Sequence, residues 1–298
     1  MKTIAKILVF TTLLLSLAGC SADSSAQIAA TTAPVWQFTT ALCEGTPLAV
    51  SRIVTESVSC LHDYTLTVGQ MKMVESAELI VISGAGLEDF MSDVLASRTV
   101  VDASKNIPLL EAGSHHDHAE EEDDHGHDHD HDHEHDAHIW LSPANAITMA
   151  QNICQGLSAQ YPAYSETFAA NLDPLMVQLQ KLQAYGEETL AQLSCRDLIT
   201  FHDGFAYLAE GFDLEILEAI EEESGSEASA EELIHLIEEV RHHDLPAVFT
   251  EINGSASAAS VICAETGIES FALDMAMGGE DYFASMYHNI DTLKEALE

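Results

Sequence analysis

One stretch of the chain combines histidine and carboxylate side chains at a density that suits metal ions. Residues 115–138 read HHDHAEEEDDHGHDHDHDHEHDAH and hold ten of the sixteen histidines of the chain, together with eleven carboxylates. Imidazole is a common ligand for zinc, copper, nickel and iron, and carboxylates add harder oxygen ligands. The composition therefore predicts contact with a transition metal. The alternatives are a solvated acidic linker or a histidine tag, although a tag would sit at a terminus and would not alternate with aspartate.

Three histidines and one aspartate stand in segments that are expected to be ordered. His62 lies in a turn before a helix, and His138 directly precedes the apolar segment IWL. His202 and Asp274 each follow a predicted strand. Three imidazoles and one carboxylate suit a four-coordinate zinc ion. A single histidine is more often a hydrogen-bonded surface or core residue, so the spacing alone leaves their convergence open.

The elements that would position these residues alternate between strands and helices in both halves of the chain. Continuous apolar runs such as LIVIS at residues 79–83 are typical of buried parallel strands. The pattern predicts two α/β lobes, each a parallel-type sheet flanked by helices and joined to the other by one long helix. The expected parts are a first lobe at 27–160 with a disordered His/Asp-rich loop at 114–136, a linking helix at 161–194, and a second lobe at 195–298.

The charge of the chain excludes one class of partner. Ten Lys and Arg against fifty Asp and Glu give a formal charge of −40, which repels nucleic acid and anionic lipid and attracts cations. Hydrophobic residues make up 47% of the chain, so a full core is available. We therefore expect no nucleic-acid ligand and favour a protein that handles metal cations.

The first twenty residues have the features of a lipoprotein signal peptide. Two lysines precede a short apolar run, which ends in Leu17-Ala18-Gly19-Cys20. This ending resembles a bacterial lipobox, in which Cys20 becomes the lipidated first residue of the mature protein. Residues 21–26 are small and polar, as a tether would be. The mature protein is then expected on the outer face of the bacterial cell membrane, held through its lipid anchor only.

Export would permit disulfide bonds among the remaining cysteines. Five remain without Cys20, so at least one must be free. Their spacing permits pairs of Cys43 with Cys60 and of Cys154 with Cys195, which would leave Cys263 as a small buried hydrophobe. A thiolate ligand for zinc at Cys60, two residues before His62, is the alternative, although the sequence has no CxxC pair.

The chain resembles the zinc- and manganese-binding lipoproteins of bacterial ABC transporters. The matching segments are CLHDY at 60–64, DAHIWLSP at 136–143, TFHDGF at 200–205 and ALDM at 272–275, together with the lipobox and the acidic histidine-rich loop. The resemblance implies two α/β lobes with the metal in the cleft between them. It also implies that His62 and His138 of the first lobe, and His202 and Asp274 of the second, are the ligands. Imidazole at position 202, where manganese-binding relatives tend to have Glu, favours zinc.

Two local departures from the family pattern leave alternatives open. Cys60-Leu61 stands where the family has Pro or Glu, and Met275-Ala276-Met277 follows Asp274 where Pro is usual. Glu251, at the end of a predicted strand, is the reserve carboxylate for Asp274. We also expect an accessory group of weak zinc ligands in the loop: His115, His116, His118, His125, His127, His129, His131, His133 and His135.

The resemblance implies capture of a metal ion rather than catalysis. The partners would be an integral-membrane permease and its cytoplasmic ATPase, and the protein would be a monomer. No HExxH, GxSxG or P-loop pattern is present in the sequence, so no enzyme is expected. The alternatives are a manganese-specific member of the same family, and a surface adhesin or zinc-storage lipoprotein built on the same fold.

Overall fold

The chain folds as two α/β lobes in a computed structural model, which describes residues 27–56, 61, 64–111, 135–220 and 228–298. Each lobe contains a four-stranded parallel sheet with helices packed against it. The predicted fold class is therefore confirmed. The domain boundaries stay a prediction.

The first sheet has the strand order β2-β1-β3-β4. Ile28 lies between Val50 and Leu79, and all three pairings of this sheet are parallel. Such sheets are covered on both faces, which explains the apolar sequence LIVI of its third strand. The elements of this lobe are β1 (Ile28–Ala30), α1 (Ala33–Cys43), β2 (Val50–Arg52), α2 (Val68–Ser76), β3 (Leu79–Ile82), α3 (Ser92–Leu95) and β4 (Val100–Asp102).

Two consecutive helices connect the first sheet to the second. Helix α4 (Pro143–Gln160) begins with Ser142 as its cap and Pro143 at its first position, where the missing N–H of proline has no helical partner to lose. Helix α5 (Ser165–Thr189) has 25 residues, or about 38 Å. It packs against α4, α1 and the closing helix α9 (Tyr282–Leu297). The helix is shorter than the predicted 161–194 and continues through Pro174.

The second sheet has the order β6-β5-β7-β8, again with parallel neighbours. Helix α7 (Ala230–His242) begins with a capping box, in which Ser229 and Glu232 each accept a hydrogen bond from the other's backbone N–H. The elements of this lobe are β5 (Asp197–Thr200), α6 (Ala206–Gly211), β6 (Glu215–Ala219), α7 (Ala230–His242), β7 (Ala247–Glu251), α8 (Ser257–Thr266), β8 (Glu269–Leu273) and α9.

One apolar core runs through both lobes. It includes Ile28 and Phe38 of the first lobe, Leu273 at the end of β8, and Tyr282 and Leu293 of α9. A smaller core lies beneath α7 and α8. Within the four long described segments, none of the helices combines the length and the apolar character needed to cross a membrane.

The predicted bridge between Cys154 and Cys195 is wrong, because both residues are free thiols. Cys154 is buried within α4. Cys195 lies just before β5, where its N–H donates to Leu297 O at 3.3 Å and its Sγ contacts Asp197 O at 3.7 Å. A disulfide needs two Cα atoms within about 7 Å whose side chains point at each other. The two thiols lie in different elements, one within α4 and one just before β5.

The predicted pair of Cys43 and Cys60 is also not formed. Cys43 is a buried free thiol at the end of α1, and burial raises its pKa to about 12. Cys60 lies outside the described residues. Cys263 is a free thiol as predicted, although it is half-buried rather than buried.

Candidate metal centre

His138 occupies the start of a single turn of 3-10 helix, Ile139–Leu141, between the first sheet and α4. Its side chain is 3% exposed, and its Nδ1 lies 2.8 Å from Oδ1 of Asp136. The same oxygen accepts the backbone N–H of His138, also at 2.8 Å. An ionised carboxylate only accepts hydrogen bonds, so Nδ1 donates to it, and Nε2 of the neutral imidazole carries the lone pair.

The Nε2 atom of His138 is buried, and no hydrogen-bond partner for it exists among the described residues. Buried polar atoms are nearly always paired, so an exception of this kind needs an explanation. Metal-binding histidines typically donate a hydrogen bond from one ring nitrogen to a carboxylate and bind the metal through the other. The ring of His138 has this arrangement. His138 is therefore fixed in the tautomer and orientation that zinc requires.

His202 and Gly204 bring the second lobe against His138. The rings of His138 and His202 lie 5.4 Å apart, centroid to centroid, at 83°. A Cβ atom at Gly204 would lie 3.0 Å from Cε1 of His138, 2.8 Å from Cδ2 of His202 and 2.7 Å from Cε of Met275. Real Cβ atoms almost never come this close to other atoms. Glycine at position 204 therefore allows the two imidazoles to meet.

Asp274 is held in place by hydrogen bonds at the end of β8. Its Oδ1 accepts the N–H of Ala276 at 2.8 Å, and its Oδ2 accepts the hydroxyl of Ser285 at 2.6 Å. Asn289 of α9 fixes its backbone, since it accepts the Asp274 N–H and donates to the Asp274 carbonyl, both at 2.7 Å. Each carboxylate oxygen has a further lone pair, so the group can still bind a cation.

Two aromatic residues connect the lobes directly behind His138. Trp140 donates its Nε1–H to the carbonyl of Met275 at 2.7 Å, and Tyr282 donates its hydroxyl to the carbonyl of Trp140 at 2.8 Å. On the other side, the N–H of Leu110 donates to the hydroxyl of Tyr207 in α6 at 2.9 Å. These contacts are buried or half-buried, and they fix His138 against the second lobe.

The structure gathers two of the four predicted ligands. His138 and His202 face each other. Asp274 directly precedes Met275, whose side chain, like the two imidazoles, would lie against a Cβ atom at Gly204. No three His, Cys, Asp or Glu side chains within the described residues are close enough to hold a metal ion. The fourth candidate, His62, lies outside those residues. Glu251 is buried at the end of β7, with 5% of its surface exposed.

Other predicted residues fall largely outside the described chain. These are the lipidation residue Cys20, His62 itself, and the accessory histidines from His115 to His133. His135 is described, and its backbone forms an antiparallel bridge with Glu111.

Sequence reasoning missed two carboxylates of the first lobe. Asp136 belongs to the DAHIWLSP segment, and the signal that could have identified it is its position two residues before His138. Glu88 is 3% exposed and accepts hydrogen bonds from Thr31 Oγ1 at 2.6 Å, Ser83 N at 2.8 Å and Gly84 N at 2.9 Å. Burial outweighs these donors and raises the pKa of Glu88 to about 7. It joins the carboxyl ends of β1 and β3.

Comparison with known proteins identifies the family of the chain. The family model described as "ZnuA: Zinc-uptake complex component A periplasmic" matches residues 28–296. The chain is 29% identical over 294 residues to the zinc-binding protein AdcA of Streptococcus pyogenes serotype M3, covering 92% of this chain and 56% of AdcA. It is 29% identical over 305 residues to the zinc-binding lipoprotein AdcA of Streptococcus pneumoniae strain R6, covering 95% and 59%. The chain thus spans little more than half the length of these relatives.

Solved structures agree with this result. A crystal structure of ZnuA superposes with a TM-score of 0.76 at 25% identity, over 91% of this chain and 99% of that one. The Zn(II)-bound ZnuA-like domain of Streptococcus pneumoniae AdcA gives a TM-score of 0.75 at 25% identity, over 91% and 98%. With a family model that matches nearly the whole described chain, the protein belongs to the ZnuA family of zinc-uptake components, as its motifs predicted.

Proposed function

We propose that this protein captures Zn²⁺ outside the cytoplasm and delivers it to an ABC permease that is driven by a cytoplasmic ATPase. The observation that carries the proposal is the His138 imidazole. Its Nε2 is buried without a partner among the described residues, its Nδ1 is held by Asp136, and its ring lies 5.4 Å from that of His202. The proposed ligands are His62, His138, His202 and Asp274, with Glu251 as the alternative carboxylate.

The donor set favours zinc over manganese. Imidazole nitrogen suits zinc, whereas manganese prefers carboxylate, carbonyl and water oxygen. Two imidazoles in contact at the candidate site therefore select the softer ion. The zinc named for the streptococcal relatives and for the similar solved domain supports the same choice.

The proposed site binds rather than catalyses. Catalytic zinc sites keep one position open for water or substrate, whereas four protein side chains close the tetrahedron. Three imidazoles and one carboxylate fill all four positions. The bound ion would therefore be cargo, taken up and later released unchanged.

The remaining parts of the proposal concern the two ends of the transport path. Lipidation of Cys20 would hold the monomeric protein at the outer face of the membrane, close to the permease. The histidine-rich loop at 114–136 would collect zinc with low affinity and raise its concentration near the cleft. The pneumococcal relative is named a lipoprotein, which supports the anchor.

Zinc titration of the metal-free protein against a chromophoric chelator tests the proposal. We expect one tightly bound equivalent in the wild-type protein, and loss of that equivalent in His138→Ala and in His202→Ala. His242→Ala is the matched control, because His242 is exposed at the end of α7 and should leave the tight equivalent unchanged. Circular dichroism of each variant checks its folding. Tight binding that survives in a folded His138→Ala protein would overturn the site.

A further inference from the structure

The loop at 275–279, which follows Asp274 in the second lobe, is held by donors of the first lobe. Trp140 donates its Nε1–H to the carbonyl of Met275 at 2.7 Å. The backbone N–H of Ala33, at the start of α1, donates to the carbonyl of Met277 at 3.1 Å. The first lobe therefore determines the path of a segment that belongs to the second lobe.

Arg52, the last residue of β2, adds a charged donor to this contact. Its Nη1 donates to the carbonyl of Gly279, and its Nη2 lies 3.4 Å from the carbonyl oxygen of Gly278 and 3.3 Å from that of Thr55. Its guanidinium carbon lies 5.5 Å from the ring centroid of Trp36, within the range of a cation–π contact. A planar guanidinium can bind several carbonyls at once, whereas a lysine ammonium is a point charge on a flexible stem. Arg52 therefore joins β2 of the first lobe to the loop of the second.

The loop contains a residue in a strained conformation. Ala276 has a backbone φ of 54°, in the left-handed region that costs free energy for any residue with a Cβ atom. In this conformation its N–H donates to Oδ1 of Asp274 at 2.8 Å. Strained backbone persists only where the surrounding structure imposes it. The contacts from the first lobe lie on both sides of Ala276 and are constraints of this kind.

We propose that Arg52 is a positioning residue for zinc binding, which holds the 275–279 loop in the conformation that orients the Asp274 carboxylate for the ion. Its hydrogen bonds go to backbone carbonyls and not to a proposed ligand, so its effect on zinc passes through the loop. The side chain is half-buried, so it can be changed without opening the core. This inference rests on the proposed function, in which Asp274 is a ligand.

Arg52→Lys tests the proposal, because it keeps the positive charge and removes the planar fork of donors. Residues that orient metal ligands typically contribute about 10- to 100-fold to metal affinity. Since Arg52 acts through the loop, we expect the lower end, a zinc dissociation constant about 10-fold larger by chelator competition. In an Asp274→Ala background the same substitution should change the constant by less than about twofold, because no carboxylate remains to be oriented.

Arg241→Lys is the matched control. Arg241 also donates to a backbone carbonyl of another element, that of Glu265 at 2.9 Å, but it joins α7 to α8. Its substitution should leave the zinc dissociation constant unchanged. Chemical unfolding of each metal-free variant checks that it is folded.

Hydrogen exchange of the metal-free protein gives a second measurement that needs no zinc. The Ala276 N–H is protected by its hydrogen bond to Asp274, and this bond depends on the conformation of the loop. Arg52→Lys should therefore lose protection at Ala276, whereas Arg241→Lys should keep it. Unchanged protection at Ala276 in Arg52→Lys would show that Arg52 does not hold the loop.

The outcomes separate this inference from the proposed function. If the wild-type protein binds zinc tightly and Arg52→Lys binds it equally well, positioning is refuted while the proposed function stands. If Arg52→Lys loses the same factor in the Asp274→Ala background, Arg52 supports the fold in general and positioning is again refuted. If the wild-type protein binds no tight equivalent, the proposed function itself fails.

Discussion

The Asp136 carboxylate offers the sharpest test of how the chain prepares His138 for zinc. Replacing Asp136 by Asn keeps the size of the side chain and leaves one oxygen to accept from His138. It removes the negative charge that makes the hydrogen bond to Nδ1 strong and that increases the donor strength of Nε2. The change therefore acts on zinc through His138 without altering any proposed ligand.

The expected loss follows from the geometry of this pair. Both contacts of Asp136 Oδ1 with His138 are 2.8 Å long, and both side chains are 3% exposed, so solvent screens the interaction little. Removing a carboxylate that orients a metal-binding histidine typically weakens metal affinity about 10- to 100-fold. This corresponds to about 1.4–2.7 kcal/mol of binding free energy.

Two measurements determine the loss independently. Chelator competition gives the zinc dissociation constant directly. Chemical unfolding with and without saturating zinc gives the free energy by which zinc stabilises the folded protein. Ligand binding stabilises the folded state by RT ln(1 + [L]/Kd), so this free energy should also fall by about 1.4–2.7 kcal/mol. Taking the difference cancels any change in the stability of the metal-free protein.

Asp213→Asn is the matched control for this substitution. The Asp213 side chain is 98% exposed, and its backbone φ of 57° is one that asparagine tolerates well. Its zinc affinity should equal that of the wild-type protein. If Asp136→Asn binds zinc within about twofold of wild type while His138→Ala does not bind it, the inference that the carboxylate strengthens Nε2 is refuted.

Two further predictions follow from buried contacts. Gly204→Ala should weaken zinc binding, because its Cβ would displace the imidazoles of the candidate site. Gly211→Ala is the control and should not, since the nearest neighbour of its Cβ outside the helix backbone would lie at 3.6 Å. Equal zinc affinities of the two variants would contradict this prediction. Glu88 has a folded-state pKa of about 7 against 4.5 for the free side chain, so it favours folding below about pH 4.5 and this contribution is lost as the pH rises through 7. The free energy of unfolding of Glu88→Gln should therefore fall less between pH 5 and 8 than that of the wild-type protein, by up to about 3 kcal/mol. Denaturant titrations across this pH range measure it. The same pH dependence in both proteins would count against the raised pKa.

The fold could be predicted because its strands have a clear local signature. Parallel strands buried on both faces are apolar without a break, and Leu79–Ile82 and Ala247–Glu251 lie within the runs expected for them. A helical pattern is a weaker guide where side chains compete with helix formation. Residues 87–96 have a helical pattern, yet they form a 3-10 turn, Asp89–Met91, and the four-residue α3. Glu88 reaches back to the N–H groups of residues 83 and 84, which tightens this turn.

The site could be predicted only in part, because the fold, and not the sequence spacing, determines which side chains come into contact. The motifs around His138 and His202 identified a pair that the structure places in contact. Asp136 is one of eleven carboxylates in residues 115–138, and nothing in the alternation shows which of them is buried. The cysteine pairs failed for the same reason, since sequence spacing carries no information on how two thiols are oriented.

The shared core has a consequence for the order in which the protein is made. Phe38 of α1 packs edge-on against Tyr282 of α9 with ring centroids 5.2 Å apart, and the Tyr282 N–H donates to Gln37, which precedes it by 245 residues. At about 5–20 residues per second, roughly 10–50 s pass between synthesis of the two partners. Until α9 is made, Phe38 and Gln37 lack these contacts, so this part of the first lobe is incompletely packed. The newly made chain therefore passes through a period of tens of seconds in which uncovered apolar surface favours aggregation.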